Sequence, residues 1–380
     1  MDAQVTGEFL RVFGDLEDPR QANRRYLLCD IILLAVSAVM CGCEGWQDIE
    51  DWTADAFAFL EPLMLQPQHG TPSADTFRRV FARLSPEGFE RCFATWTQAL
   101  RASSQGQFLA LDGKALRGSF AQGWKRTPIH MVSAYASDQR LVLAQLKVDS
   151  KENEITALPK LLAMLDLRHT TVTIDAIGCQ KQIARPIVEA KGHYVLALKD
   201  NQPTLHKEVK TLLDEAILEN FQGLRHDYHE TTEGDHGRIE TRKVWVCDDL
   251  RWVKAAADWP GLRQVVVVES CREIYGKVTV ERRYYIASHR TLDAQRTAAA
   301  IRQHWGIENQ VHWVLDVVFN EDQSRIRREH GPENFSRLRR MVLNKLRAYR
   351  DPDGKKRSLR LKRKKCSWRF DYFLKVLMAE

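Results

Sequence analysis

The chain has 380 residues and a formal net charge of +7, a length that can bury a large core and predicts two or three structural units. Its eight cysteines follow neither a Cys-x-x-Cys spacing nor a zinc-finger pattern, which excludes a cysteine-based zinc site and suits a reducing compartment. The apolar run over residues 31–43 is too short to span a bilayer and the N-terminus lacks signal-peptide features, so we expect a cytoplasmic protein without a membrane partner.

Helical patterns dominate residues 1–105, for which we predict an N-terminal helical domain. The predicted helices run over residues 24–40, 46–65, 71–84 and 85–100. Thr71-Pro72 and Ser85-Pro86 each place a capping residue before a proline of the first turn, which is typical of a helix start. The last two helices fit a helix-turn-helix and equally an ordinary helical hairpin, so DNA binding by this domain stays open.

Strand-like patterns begin at residue 107 and open a second predicted domain, residues 106–350. The predicted strands are 108–116, 129–136, 141–148, 171–175 and 193–198, with helices over 154–167 and 180–190 between the later ones. This order predicts an α/β fold. Strand-like runs between residues 200 and 290 predict a β-rich insertion, and helices over 292–319 and 333–349 follow it. Residues 351–380 are expected to form a basic C-terminal tail.

Three acidic residues stand out in this second domain. Asp112 and Asp175 lie on or at the end of predicted strands, and each can project from a sheet whose opposite face is apolar. Glu308 lies on a predicted helix. Carboxylates on two strands and a helix can bind two divalent ions about 4 Å apart, an arrangement that catalyses in-line phosphodiester displacement. Alone, an Asp at a strand end is more often a turn former or cap, and Glu321 and Asp322 compete with Glu308 for the third position.

The helix that carries Glu308 is amphipathic. Its predicted buried stripe comprises Ile307, Val311, Val314 and Val318. A neighbouring stripe at steps of four residues contains His304, Glu308, His312 and Asp316. This pattern places Glu308 at the edge of the buried face, from which its carboxylate can reach a site on the sheet.

The segments around these acids resemble the DDE transposases of bacterial insertion sequences, specifically the H-repeat-associated type. The matching segments are Leu111-Asp-Gly-Lys114, Ile174-Asp-Ala176, Trp305-Gly-Ile-Glu308-Asn-Gln-Val-His-Trp-Val-Leu-Asp-Val317 and Phe319-Asn-Glu-Asp322. A helical segment near residues 9–18 is similar to the domain associated with that family. Related transposases usually carry a Tyr, an Arg and a Lys around the Glu, where this chain has Ile301, His304 and Leu315.

The resemblance implies a ribonuclease H-like catalytic domain with a β-rich insertion, preceded by a helical N-terminal domain. It further implies two Mg²⁺ or Mn²⁺ ions held by Asp112, Asp175 and Glu308. The activity implied is cleavage of insertion-sequence ends and their joining to target DNA, by a bacterial protein that associates with the nucleoid and with itself as a dimer on DNA.

Other functions compatible with the same acids are a metal-dependent nuclease without strand transfer and a domesticated, non-catalytic DNA-binding protein. An inverting glycosidase also uses paired carboxylates, although a block of concentrated positive charge near the C-terminus argues against a neutral glycan. No glycine-rich phosphate loop is evident, so no nucleotide cofactor is expected.

Positive charge is concentrated near the C-terminus. Residues 325–369 contain 18 Lys or Arg and 4 Asp or Glu, a local charge of +14, so the rest of the chain sums to −7 against the total of +7. Such a block is typical of a phosphate-binding surface and also of a solvated helix. The candidate DNA-binding residues are Lys114, Arg117, Lys199, His304, His312, Lys355, Lys356, Arg357, Arg360, Lys362, Arg363, Lys364 and Lys365. Trp124, Trp305 and Trp313 are candidates for stacking on an unpaired base.

Overall fold

A computed structural model of the chain describes residues 2–21, 24–100, 107–119, 128–148, 153–235 and 238–379. Trp124 lies outside these residues. The strands of the described part are β1 Phe108–Leu116, β2 Ile129–Ala136, β3 Leu141–Val148, β4 Thr171–Ile174, β5 His193–Leu198, β6 His226–Asp235, β7 Arg238–Cys247, β8 Gln264–Ile274 and β9 Lys277–Ala287. The first five lie where the sequence predicts them.

All strands of the described residues join one mixed sheet in the order β3-β2-β1-β4-β5-β9-β8-β7-β6. Strands β1, β2 and β3 pair antiparallel, whereas β4 runs parallel to β1 and β5 runs parallel to β4. Strand β9 then pairs antiparallel with β5. The β-rich segment predicted between residues 200 and 290 therefore extends the main sheet across β5 and shares its backbone hydrogen bonds.

Helices cover both ends of the chain and lie between the strands. Their bounds are α1 Asp2–Phe13, α2 Leu28–Met40, α3 Trp46–Asp55, α4 Phe57–Leu60, α5 Ala74–Arg83, α6 Pro86–Ala99, α7 Glu154–Leu162, α8 Lys181–Glu189, α9 Pro203–Leu218, α10 Ala294–Gly306, α11 Trp313–Phe319, α12 Gly331–Ala348, α13 Leu359–Trp368 and α14 Phe370–Leu377. A π-helical segment, Ile307–His312, connects α10 to α11. No helix among the described residues is long and apolar enough to cross a membrane.

Two elements of the 200–290 segment escape the sequence analysis. Helix α9 buries a stripe that includes Leu205, Val209 and Leu213 at helical spacing, within a segment that was predicted to be rich in strands. Strand β6 is rich in polar residues and lies at the sheet edge, where only β7 pairs with it. Because backbone pairing rather than an apolar face holds this strand, its side chains carry little strand signal.

Helix starts in the N-terminal region follow the predicted capping chemistry with one correction. Ser85 Oγ accepts from the Gly88 amide at 3.1 Å and begins α6 as expected. Helix α5, predicted to begin at Thr71, is instead capped by Ser73, whose Oγ accepts from the Thr76 amide. An N-cap side chain accepts a hydrogen bond from an amide of the first helical turn, two or three residues further along the chain. Ser73 has this spacing from Thr76, whereas Thr71 lies too far upstream.

The C-terminal basic block is mostly internal. Helix α12 is buried over residues 331–346 and packs against α2, α5 and α6 in the core that the N-terminal helices share. Its cations pair with acids of other segments: Arg337 with Glu90 at 2.6 Å, Lys345 with Glu8 at 3.0 Å and Arg340 with Glu321 at 2.9 Å. The local charge of +14 is therefore divided between internal ion pairs and the surface, and it does not form one phosphate-binding surface.

The segment predicted as a basic tail forms α13 and α14, which pack on the same core. Tyr372, Phe373 and Val376 are buried there. These apolar positions follow the run of cations in the sequence, and helical periodicity gathers them on one face.

Candidate active site

Two of the predicted acids meet because of strand register. Strands β1 and β4 run parallel, with Leu111 opposite Ile174. The next residue of each strand is therefore an aspartate, Asp112 on β1 and Asp175 just beyond β4. Asp175 also caps the short helical turn Ala176–Gly178, accepting from the Gly178 amide at 3.4 Å.

The third predicted acid reaches the sheet through the α10–α11 helical run. Helix α10 contacts β1 and β4, where His304 Nδ1 lies 3.1 Å from Thr173 Oγ1. Tyr135 Oη of β2 donates to Gln310 Oε1 at 2.6 Å and holds the π-helical segment. The segment carries Glu308, and π-helical turns are common at functional sites because they redirect side chains.

The structure brings Asp112 and Glu308 together with a histidine. Donor atoms of Asp112, Glu308 and His312 all lie within 4.8 Å of one another. His312 Nδ1 is 3.1 Å from Glu308 Oε2 and 3.6 Å from Asp112 Oδ2. Asp175 is not part of this cluster of donor atoms, although it lines the same cavity. His312, predicted as a DNA contact, instead lies between two carboxylates.

Negative charge accumulates around Asp112. Burial, together with the nearby carboxylates of Asp175, Glu154 and Glu308, raises the pKa of Asp112 to about 7, although the hydrogen bond from the Gly113 amide lowers it. Burial also raises the pKa of Asp175, with Glu154 adding to the effect and Lys199 opposing it. Partly buried carboxylates that destabilise each other's charge are stabilised by a bound cation, so this donor set fits a divalent metal ion.

Glu154 is an acidic neighbour of Asp112 that was not among the predicted site residues. It is the first residue of α7 and hydrogen-bonds His130 of β2 beside Gly113. An acid in the first turn of a helix is an ordinary feature that interacts with the helix dipole. Nothing in the local sequence distinguishes it, and only the packing of α7 against β2 brings it to the site.

A cavity of about 1040 Å³ opens over the acids and is also lined by residues of the paired strands β5 and β9. Lys199 is exposed and lines it near Asp175. Trp305, whose side chain is 52% exposed, also lines it, with the Arg283 guanidinium 5.4 Å from the centre of its ring. Trp313 is exposed but is not a lining residue. The cavity thus combines an acidic base with a cationic and aromatic wall.

Other predicted DNA contacts near the site are engaged within the protein. Lys114 is buried and contacts Asp316, Glu321 and Asp322. Burial lowers the pKa values of His304 and His312, so both imidazoles are held neutral inside the protein. Arg117, in contrast, is 81% exposed and lies 3.5 Å from Asp322.

The predicted contacts of the C-terminal segment divide in the same way. Those exposed to solvent are Lys355, Lys356, Arg360 and Lys364. Arg357 pairs with Asp351 and Asp353, and Lys365 lies 4.2 Å from the centre of the Tyr372 ring. Lys362 and Arg363 are buried and donate to backbone carbonyls, among them Leu346 O and Val39 O. Long cations often satisfy carbonyls at helix ends, so these two are part of the packing.

Glu321, the competing third carboxylate, is fully buried away from the cavity. Its Oε1 accepts from Arg340 at 2.9 Å and from Ser336 Oγ at 3.0 Å, and Lys114 Nζ lies 3.4 Å from Oε2. The Arg340 and Lys114 charges overcome the effect of burial and lower the pKa of Glu321 to about 2. Its charge is therefore neutralised by protein cations.

Comparison with known proteins defines the family. The transposase DDE domain model matches residues 103–345, and the model described as DDE_Tnp_1-associated matches residues 10–97. The chain belongs to the DDE transposase family.

Its relatives further define the type of transposase, which is H-repeat-associated. It is 39% identical over 382 residues to the "H repeat-associated putative transposase YhhI" of Escherichia coli K12, covering 99% of this chain and 98% of the relative. It is 38% identical over 383 residues to the "Putative transposase YncI" of Escherichia coli O157:H7, covering 100% and 96%. A piggyBac transposase synaptic complex with hairpin DNA aligns with a TM-score of 0.46 at 11% identity, over 98% of this chain and 77% of that one.

Proposed function

We propose that this protein cleaves the ends of an insertion sequence and joins them to target DNA by metal-dependent hydrolysis and transesterification. The observation that carries the proposal is the meeting of Asp112 and Glu308, far apart in the sequence, with donor atoms within 4.8 Å. They meet at the base of a large cavity in a chain that belongs to the DDE transposases.

The catalytic core in this proposal is ribonuclease H-like. Strands β1 to β5 in the order 3-2-1-4-5, with β1, β4 and β5 parallel, support it. The parallel register supplies two aspartates at neighbouring strand ends, and the α10–α11 run supplies the glutamate. The helical N-terminal region, residues 1–105, would then be a transposase-associated domain, and its role in DNA binding is part of the proposal.

Asp112 and Glu308, with Asp175 lining the same cavity, would hold Mg²⁺ or Mn²⁺, since oxygen ligands favour these ions. Two such ions would activate the attacking oxygen and stabilise the leaving oxygen of a phosphodiester. Asp112 must lose its proton to act as a ligand, because its pKa near 7 leaves it partly protonated at neutral pH.

The remaining cavity residues would bind and orient DNA. Lys199 is exposed beside Asp175, where its ammonium can pair with a backbone phosphate. Trp305 presents an exposed ring that can stack on a base, with Arg283 against its face. Duplex DNA, at element ends and target, is the partner we propose, bound by a dimer of this chain in the bacterial cytoplasm.

The test uses the full-length protein and a DNA fragment containing the sequences that flank its gene on both sides, where the proposal expects short inverted repeats. Cleaved and joined products are separated on denaturing gels with Mg²⁺ and with excess chelator. Asp112→Asn, Asp175→Asn and Glu308→Gln should each abolish both products while DNA binding persists, since each removes a ligand charge with little change of shape. Asp258→Asn, at an exposed acid outside the cavity, is the matched control and should keep both.

The outcomes separate the candidate functions. Cleavage without joined product would identify a nuclease that lacks strand transfer. Full activity in excess chelator would refute the metal mechanism, and full activity of Glu308→Gln would remove Glu308 from the ligand set. DNA binding with no reaction under any metal condition would favour a domesticated, non-catalytic protein.

A further inference from the structure

We propose that His312 supplies a nitrogen ligand to the divalent ion held by Asp112 and Glu308. The site would then be a mixed nitrogen and oxygen site and not an all-carboxylate site. This inference rests on the proposed metal-dependent function and concerns the identity of one ligand. It replaces the DNA-contact role that the sequence analysis assigned to His312.

The position of the imidazole fits a ligand. His312 is 4% exposed, so it cannot reach a DNA backbone at the surface. Its Nδ1 lies 3.1 Å from Glu308 Oε2 and 3.6 Å from Asp112 Oδ2. Neighbouring ligands of an octahedral ion, each about 2.1 Å from the metal, are about 3 Å apart. The two distances are close to that spacing and leave room for a small relaxation around the ion.

A hydrogen bond explains only part of this geometry. Nδ1 can donate one hydrogen, and Glu308 at 3.1 Å is within range, but Asp112 at 3.6 Å is beyond it. Because Nδ1 carries at most one hydrogen, it can donate to only one of the two carboxylates. The oxygen of the other carboxylate therefore faces Nδ1 without a hydrogen bond. A cation among the three groups accounts for both approaches.

The ring has the tautomeric freedom that ligation needs. His312 Nε2 is buried and has no hydrogen-bond partner among the described residues, so no donor holds it as an acceptor. The hydrogen of the neutral imidazole can therefore reside on Nε2, which leaves the Nδ1 lone pair available to a metal. His304 differs from His312 in both respects. Its Nδ1 lies beside the Thr173 hydroxyl, and its ring is outside the cluster formed by Asp112, Glu308 and His312.

Helix geometry makes the arrangement local. Glu308 and His312 are four positions apart on the π-helical segment, so one helical surface presents a carboxylate and an imidazole to Asp112. The Tyr135 hydroxyl, bonded to Gln310 between them, holds this surface against β2. One element thus delivers two donors, and Asp175 from β4 remains available to a second ion.

A nitrogen donor changes which metals the site prefers. Imidazole favours Mn²⁺, Co²⁺ and Ni²⁺ over Mg²⁺ more strongly than a carboxylate does. The full-length protein should therefore bind Mn²⁺ more tightly than Mg²⁺ at this position. His312→Gln should lower Mn²⁺ affinity by about 10- to 100-fold and Mg²⁺ affinity by less, so that the ratio of the two affinities falls.

The experiment reads the ligand directly on full-length protein loaded with Mn²⁺, without a reaction. Electron spin echo spectroscopy should show modulation from a directly bonded ¹⁴N nucleus in the wild type and in His304→Gln. His304 is the matched control because it is a half-buried histidine on the same helical run. The modulation should be absent in His312→Gln, and Mn²⁺ titrations followed by the free-ion signal give the affinities.

Each outcome decides the inference. Bound Mn²⁺ without nitrogen modulation in the wild type would overturn it while leaving the carboxylate site and the proposed function intact. No Mn²⁺ binding at millimolar concentration would instead count against the metal site as a whole. The wild-type spectrum is sufficient by itself, so misfolding of His312→Gln, checked by circular dichroism, would not leave the inference untested.

Discussion

Glu321 is the residue whose replacement best tests how the protein uses its buried charge. It is fully buried, paired with Arg340 at 2.9 Å and with Lys114 at 3.4 Å. In Glu321→Gln the shape is kept and the charge is lost, so Arg340 remains in the interior without its acidic partner. Removing one partner of a buried ion pair costs about 3–5 kcal/mol of folding stability. We expect a loss of about 3 kcal/mol, because the new amide still accepts a hydrogen bond.

The measurement is urea unfolding followed by circular dichroism, with a double-mutant cycle. Glu321→Gln combined with Arg340→Met removes both charges and should be more stable than Glu321→Gln alone. Asp322→Asn, at a less buried neighbour that also contacts Lys114, is the control and should cost less than about 1 kcal/mol. A cost below about 1 kcal/mol for Glu321→Gln, or no recovery in the double variant, would refute the reasoning.

The pH dependence of the same variant gives an independent check. The pKa of Glu321 is lowered to about 2 from an ordinary value of 4.5. A lowered carboxyl pKa stabilises the folded state above the ordinary value, and this stabilisation is lost as the pH falls toward the folded value. The stability difference between wild type and Glu321→Gln should therefore be constant above pH 4.5 and shrink below it. A difference that grew on acidification would contradict the assignment.

Two further predictions concern metal and DNA binding. Because the pKa of Asp112 is about 7, metal binding at pH 6 should release about one proton from it and binding at pH 8 almost none. Calorimetry in buffers of different ionisation enthalpy measures this release, and equal release at both pH values would be inconsistent with that pKa. The exposed cations of the C-terminal segment are Lys355, Lys356, Arg360 and Lys364. Replacing them by Gln should reduce the slope of log affinity for DNA against log salt concentration by up to about 0.9 per phosphate contact. The buried Lys362, replaced by Met, should lower stability and leave the slope unchanged, and a slope that moved only with Lys362 would reverse this assignment.

Local sequence determined much of the architecture. The strands β1 to β5 lie where alternating apolar residues predict them, because side-chain alternation and burial on a sheet have the same period. The buried face of the Glu308 helix also follows its predicted stripe, with Ile307 and Val311 fully buried. Asp112 and Glu308 could be predicted as candidate site residues from short motifs, since their types and settings are local properties.

Partnership between distant residues was decided only by the tertiary structure. Charge composition predicted one basic surface, but packing of α12 against the N-terminal helices turned much of it into buried pairs such as Arg337 with Glu90. Lys114, which was predicted as a DNA contact, likewise forms ion pairs inside the protein. Glu154 and His312 joined the site because α7 and the π-helical segment pack beside Asp112. Whether a charged side chain faces solvent, a metal or an opposite charge depends on which segments pack beside it. The sequence specifies the charge of each residue, but only the tertiary structure specifies its neighbours.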